Sequence, residues 1–194
     1  MSVVLARHGA TEWSEDGRHT STTDLPLTEQ GRADGLALAP LLGRRAFALV
    51  ASSPRARALD TCRLAGLDQG AEVWDELVEW DYGDYEGITT ADIQVDRPGW
   101  ELFRDGCPGG ESPAQVGARA DAVINRIRAV SGEPSEGDVV LFSHGHFLRV
   151  LASRWVGWPV EAGLHLLLDT GTLSELDAKR GDPVIRRWNA PVVT

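Results

Sequence analysis

Hydrophobic and polar positions alternate along this chain with two different periods. Residues 3–6, 47–51 and 138–142 are short, nearly continuous apolar runs, the pattern of strands covered on both faces. Between them lie longer stretches with helical spacing. Thr28 is placed to cap a helix that runs to about residue 42 and stops at Gly43. Ser53 and Pro54 read as the N-cap and first-turn proline of a helix carrying Arg55, Arg57 and Thr61. Residues 112–115, Ser-Pro-Ala-Gln, fit a capping box, and Val116, Ala120, Val123, Ile127 and Val130 then form a core-facing stripe. The run at 138–142 leads through Ser143-His144-Gly145-His146 into a helix ending near residue 156. Residues 164–168, 173–176 and 184–188 read as late strands. Strand and helix in this order predict an α/β fold, a three-layer α/β/α sandwich with a mostly parallel sheet.

The stretch from 74 to about 111 breaks both periods. It is rich in Trp, Asp and Gly, and excursions of this length are usually loops or lids with a function. No linker interrupts the pattern and no repeat appears, so residues 1–194 are expected to form one domain with a lid-like segment at about 74–111.

Composition narrows the partners. A formal net charge of −10 argues against nucleic acid or an anionic membrane as a partner, because both reward a basic face. A small anionic substrate is still open to a pocket in which a few arginines converge. Cys62 and Cys107 fit neither a disulfide framework nor a zinc pattern. No signal-like segment and no apolar run of membrane-spanning length occurs, so a cytoplasmic location is expected.

The chemistry is concentrated in an echo. "VLARHG" and "VLFSHG" each end a buried run on His-Gly, which brings His8 and His144 to the carboxyl rim of the sheet, where open α/β sheets bind ligands. Gly9 and Gly145 would permit close backbone approach there. An arginine and the free N–H groups of the helix after the second strand complete a pocket for a tetrahedral anion. Phosphoryl transfer needs an in-line nucleophile, positive charge on the equatorial oxygens and a proton for the leaving alkoxide. A neutral histidine can be the nucleophile, and a second, protonated one can join the arginines. For the acid, Glu79 stands between apolar neighbours at the start of the excursion, with Glu86 and Glu111 as rivals.

Five stretches, "LARHGATEW", "DLPLTEQGR", the segment Arg57 to Thr61, "LVEWDYGDYEG" and "FSHGHFLRVL", resemble in order the signatures of the histidine phosphatase superfamily, the phosphoglycerate mutase-like family. "EWDYGDYEG" and "RDGCPGGES" are similar to its sedoheptulose bisphosphatase-like branch. The resemblance implies two-step phosphomonoester hydrolysis through a phosphohistidine on His8, with no metal and no cofactor. Arg7, Arg57 and His144 would bind the transferring group and Glu79 would serve as acid, then base. Ser14 and Thr20 match positions that touch phosphate in the family, although position 14 is commonly Asn there and is Ser here. Gly9, Ser21, Tyr82 and Gly145 complete the expected substrate contacts. The substrate implied is a small phosphorylated metabolite, a sugar phosphate or bisphosphate. Alternatives are mutase-type transfer and an inactive phosphate-ester binding module.

Several residues carry two readings. His146 is read as a core histidine or a supporting one rather than a substrate contact, His19 as a loop residue at the pocket mouth, and His165 as a strand residue without a role. Trp80, Tyr82 and Tyr85 either stack on a sugar or cover the core; Trp13 is read as structural.

Overall fold

The computed structural model describes residues 1–130 and 137–192. Its centre is a sheet of six strands in the order β3-β2-β4-β1-β5-β6, formed by β1 (Val3–Arg7), β2 (Phe47–Ser52), β3 (Glu72–Val73), β4 (Asp138–Ser143), β5 (Leu173–Lys179) and β6 (Asp182–Ala190). The first four run parallel, and β5 and β6 join β1 as an antiparallel extension. The expected α/β sandwich with a mostly parallel sheet is the observed architecture.

Side-chain alternation explains why the central runs are apolar throughout. Val4 and Ala6 of β1, with Val140 and Phe142 of β4, pack beneath Leu38 and Leu42 of α2 (Glu29–Leu42) and Cys62 of α3 (Ala56–Leu64). Val3, Leu5, Val139 and Leu141 point the other way, onto Val116, Ala120, Val123 and Ile127. Those four belong to α6 (Pro113–Val130), and α7 (Gly145–Trp155) packs on the same layer. A strand covered on both faces has no polar side to show. The expected caps form at two of these helices: the Thr28 hydroxyl accepts from Gly31 N at 3.1 Å, and Ser112 N and Oγ both reach Gln115 Oε1.

Three expectations need correction. Residues 164–168 are not a strand: a 3-10 helix, Val160–His165, occupies that stretch and leads into an irregular loop, so His165 lies on a helical turn. The helix after β2 is not capped by Ser53. It starts at Ala56 with Arg55 at the N-cap, while Ser53 Oγ receives the N–H of Arg55 at 3.3 Å, ahead of the helix, and Asp24 takes the N–H of Ala56 at 2.9 Å. The excursion is not irregular throughout, and its large side chains enter the core. It holds α4 (Thr90–Asp96) and α5 (Leu102–Asp105), and Trp74, Leu77, Trp80, Trp100 and Phe103 are buried in the same cluster as β1 and β4. Indole N–H groups make this burial possible by finding carbonyls, Trp80 to Glu111 at 2.9 Å and Trp100 to Gly106 at 3.0 Å. A further short helix, α1 (Glu12–Asp16), was hidden inside the first motif; Thr11 caps it and Ser14 returns the bond to Thr11 N at 2.8 Å.

Candidate active site

β1 and β4 pair in register from Val3↔Val139 to Arg7↔Ser143, so the residues that follow, His8 and His144, leave the sheet side by side. His8 N donates to Ser143 O at 3.0 Å, carrying the ladder one step beyond the strands, and the two imidazole centroids are 5.1 Å apart. The repeated His-Gly ending thus becomes a pair of neighbouring rings at the carboxyl rim. Gly9 has a reason beyond ligand access: a Cβ there would lie 2.1 Å from Gly31 O, so the turn after β1 seats directly on the first turn of α2. At Gly145 a Cβ would stand 3.1 Å from the Arg7 Cζ, so glycine keeps room for that guanidinium.

A cavity of about 300 Å³ opens at this rim. Arg7, His8, Ser14, Thr20, Glu79, Tyr82 and Gly145 form part of its wall, as the sequence suggested. Gly9, Ser21, Arg57 and His144 stand behind it. His19, expected at the pocket mouth, is also in the wall, and Arg18, Thr90, His146, Arg149 and Asp169 are wall residues that sequence reasoning did not assign to the site. The second histidine of "SHGH" was the available signal for His146; Asp169 lies in a loop with no motif.

His8 is buried and its Nδ1 meets Gly9 O at 2.8 Å. A carbonyl only accepts, so the proton sits on Nδ1 and Nε2 keeps its lone pair. Burial, then the charges of Arg57 and Arg7, hold the imidazole well below its usual pKa, so it is neutral. His144 departs from expectation. Arg57 Nε donates to its Nδ1 at 3.2 Å and its Nε2 meets Ser53 Oγ at 2.8 Å. With burial, Arg57 and His8 all depressing its pKa, it is a neutral N–H donor rather than the imidazolium expected.

Arg57 is fully buried and tightly held: Nη1 reaches Thr23 O at 3.2 Å, and Nη2 reaches Thr20 O at 3.1 Å and Ser21 O at 3.4 Å. Glu86 fixes that loop. Its carboxylate accepts from Ser21 N, Ser21 Oγ (2.6 Å) and Thr23 N. Burial raises its pKa, but these hydrogen bonds outweigh burial and leave it below the usual value. Glu86 is therefore occupied as a clamp. Glu111 is equally engaged, in an ion pair with Arg119 at 2.7 Å and a bond from Asp81 N at 2.9 Å.

Glu79 is the one of the three expected acids that lines the cavity. Its Oε1 accepts from Trp80 N (2.9 Å) and Phe147 N (2.8 Å), its Oε2 from His146 N (3.1 Å), so the carboxylate closes the N-terminus of α7. Its backbone is fixed by Arg119, which donates to the carbonyls of Glu76, Val78 and Glu79, and by Ser143 Oγ on Leu77 O. Asp169 is the other carboxylate of the wall, and Asn189 holds it with a 2.8 Å bond to Oδ2. The Trp80 ring is fully buried and cannot stack on a ligand. Tyr85 packs edge-on against Trp100 and takes a bond from Arg97 at 2.9 Å, whereas Tyr82 does reach the wall.

A sheet rim with a neutral imidazole, an arginine beside it, a second arginine behind and a carboxylate on the wall fits a phosphate-ester enzyme. The chain belongs to the histidine phosphatase superfamily, branch 1, whose family model matches residues 3–191. An acid phosphatase of Mycobacterium tuberculosis is 44% identical over 174 residues, 88% of this chain and 83% of that one. Sedoheptulose 1,7-bisphosphatase of Saccharomyces cerevisiae is 37% identical over 186 residues, 81% of this chain and 68% of the yeast protein. Among solved structures, the product of a Mycobacterium tuberculosis open reading frame superposes with a TM-score of 0.91 at 38% identity, covering 99% and 98% of the two chains. The protein is a phosphatase of this family. Among the described residues no helix is long and apolar enough to cross a membrane.

Proposed function

We propose that this phosphatase hydrolyses a small sugar phosphate in two steps at His8. The observation that carries the reading is the bond from His8 Nδ1 to Gly9 O, which leaves Nε2 as a neutral nucleophile open to the cavity. Nε2 attacks phosphorus, the P–O bond to the sugar breaks, and the departing alkoxide takes a proton from Glu79. Glu79 then removes a proton from water, whose oxygen attacks the phosphohistidine and releases inorganic phosphate. Arg7 from the wall, with Arg57 behind it, balances charge on the transferring oxygens, neutral His144 orients Arg57 through its Nδ1, and Ser14 and Thr20 supply hydroxyls. The likeness to a sedoheptulose bisphosphatase supports a sugar ester, as does a cavity of about 300 Å³, the size of a small-metabolite site. Buried, unpaired Cys62 and Cys107 fit a reducing, cytoplasmic setting.

The test is release of phosphate from a panel of phosphorylated sugars, with and without a chelator, across pH. Turnover persists in the chelator, because fixed arginines supply the charge that a metal otherwise would. The acid limb of kcat/KM falls below about 6.5, the ordinary imidazole value. The sign follows from burial and from Arg57 and Arg7, which lower the His8 pKa and keep its base form present in mild acid. An acid limb above that value contradicts a buried neutral nucleophile.

A further inference from the structure

Two wall histidines take no part in the steps above. His19 Nδ1 meets Ile88 O at 2.7 Å, so its proton lies on Nδ1 and Nε2 is an acceptor. His146 Nδ1 lies 2.6 Å from the Tyr82 hydroxyl, which has no other acceptor among the described residues. A phenol is a better donor than a neutral imidazole, so Tyr82 donates and His146 keeps its own proton on Nε2. Neither Nε2 has a protein partner among the described residues, and both residues line the cavity that holds His8. The rings face each other at 6.0 Å between centroids with 30° between planes, and Tyr82 packs against both at 4.6 and 5.8 Å. Burial lowers the pKa of both, with Arg149 adding to the effect at His146, so neither ring carries charge in neutral solution. Arg149, the wall cation that acts most strongly on His146, spends Nε and Nη2 on the carbonyls of Gly163 and Leu164.

A neutral acceptor beside a neutral donor matches a group that both donates and accepts. We propose that His19 and His146, with Tyr82 setting the tautomer of His146, read a hydroxyl of the leaving group and so select polyol phosphates over esters that lack it. The proposal rests on the phosphatase reading above. It changes the status of His146 from a supporting residue to a specificity-determining one, and it gives Tyr82 a positioning role.

The measurement is kcat/KM for a hexose phosphate and for n-hexyl phosphate, in the wild type and in His146→Phe, which keeps an aromatic ring and removes the N–H. The hexose ester is expected to lose about tenfold, ~1.4 kcal/mol, and at least fivefold more than the hexyl ester. His19→Phe, on a separate segment, should give the same differential and serves if His146→Phe does not fold. In Tyr82→Phe the 15N shifts of His146 should show loss of the single Nε2–H tautomer. Equal losses on the two esters in either histidine variant overturn the proposal. Failure of the wild type to release phosphate from both esters instead overturns the phosphatase reading on which it rests.

Discussion

His8→Ala is expected to lower kcat/KM by on the order of 10⁴-fold while leaving the fold in place. Among the described residues the side chain makes one hydrogen bond, to Gly9 O, and it sits at the carboxyl rim of the sheet rather than between its layers. Its removal therefore costs chemistry far more than packing. Without Nε2 no covalent intermediate forms, and what remains is the charge of Arg7 and Arg57 acting on a bound ester that water must attack unaided. Two measurements check this. Circular dichroism and the thermal midpoint should stay near those of the wild type, and rapid acid-free quenching with a radiolabelled ester should yield base-stable phosphoenzyme only when His8 is present. Retention of more than about a tenth of the wild-type kcat/KM, a loss under ~1.4 kcal/mol, would remove His8 from the role of nucleophile.

Glu79→Gln should have the second largest effect, and one that depends on the leaving group. A sugar alkoxide needs a proton as the bond breaks, so phosphoenzyme formation from a sugar phosphate is expected to fall by roughly 10²- to 10³-fold, the range of lost acid catalysis. An aryl ester leaves without that help and should still load the enzyme. Water then lacks its base, and phosphoenzyme accumulates from the aryl substrate. The substitution has a structural side as well. The glutamine carbonyl can stand where Oε1 accepts from Trp80 and Phe147, but its NH₂ then faces the N–H of His146, a buried donor left without an acceptor that costs about 1–3 kcal/mol. Rapid-quench rates normalised to folded enzyme separate the two effects. Equal loss of phosphoenzyme formation from aryl and alkyl esters would shift attention to Asp169, the remaining carboxylate on the wall, since Glu86 and Glu111 are committed elsewhere.

What could be read in the chain beforehand was whatever local period or capping chemistry decides. Val3 to Ala6 can only be a strand covered on both sides, and Thr28 and Ser112 announce their helices through hydroxyls that need a partner three residues on. The excursion was misjudged for a tertiary reason. Trp74, Trp80 and Trp100 lie in sequence with no regular spacing, and only the fold reveals that they fill the core around α6. Residues 164–168 have the composition of a strand, yet Pro159 and the close packing of Gly163 on Phe103 tie the preceding stretch into a helical turn. At the site, Arg7 and His8 reach the cavity wall because they lie at the end of β1, and Glu79 reaches it because Arg119 and Ser143 tie its segment to α6 and the end of β4. The charge state of His144 was not readable. It depends on the Nε of Arg57 meeting Nδ1, a contact across 87 positions of sequence.

The spacing of the two rim imidazoles, 5.1 Å, is close to the ~4.8 Å that separates any two hydrogen-bonded strands. The strand lattice sets the distance between the two strands, and the bonds of each ring to Gly9, Arg57 and Ser53 fix the rings upon it. The backbone part of that spacing persists for as long as β1 and β4 stay laddered. Those strands occupy the interior of the sheet, the kind of place where local opening costs most. The spacing of the rim imidazoles and the packing of the core thus draw on one and the same β1–β4 ladder.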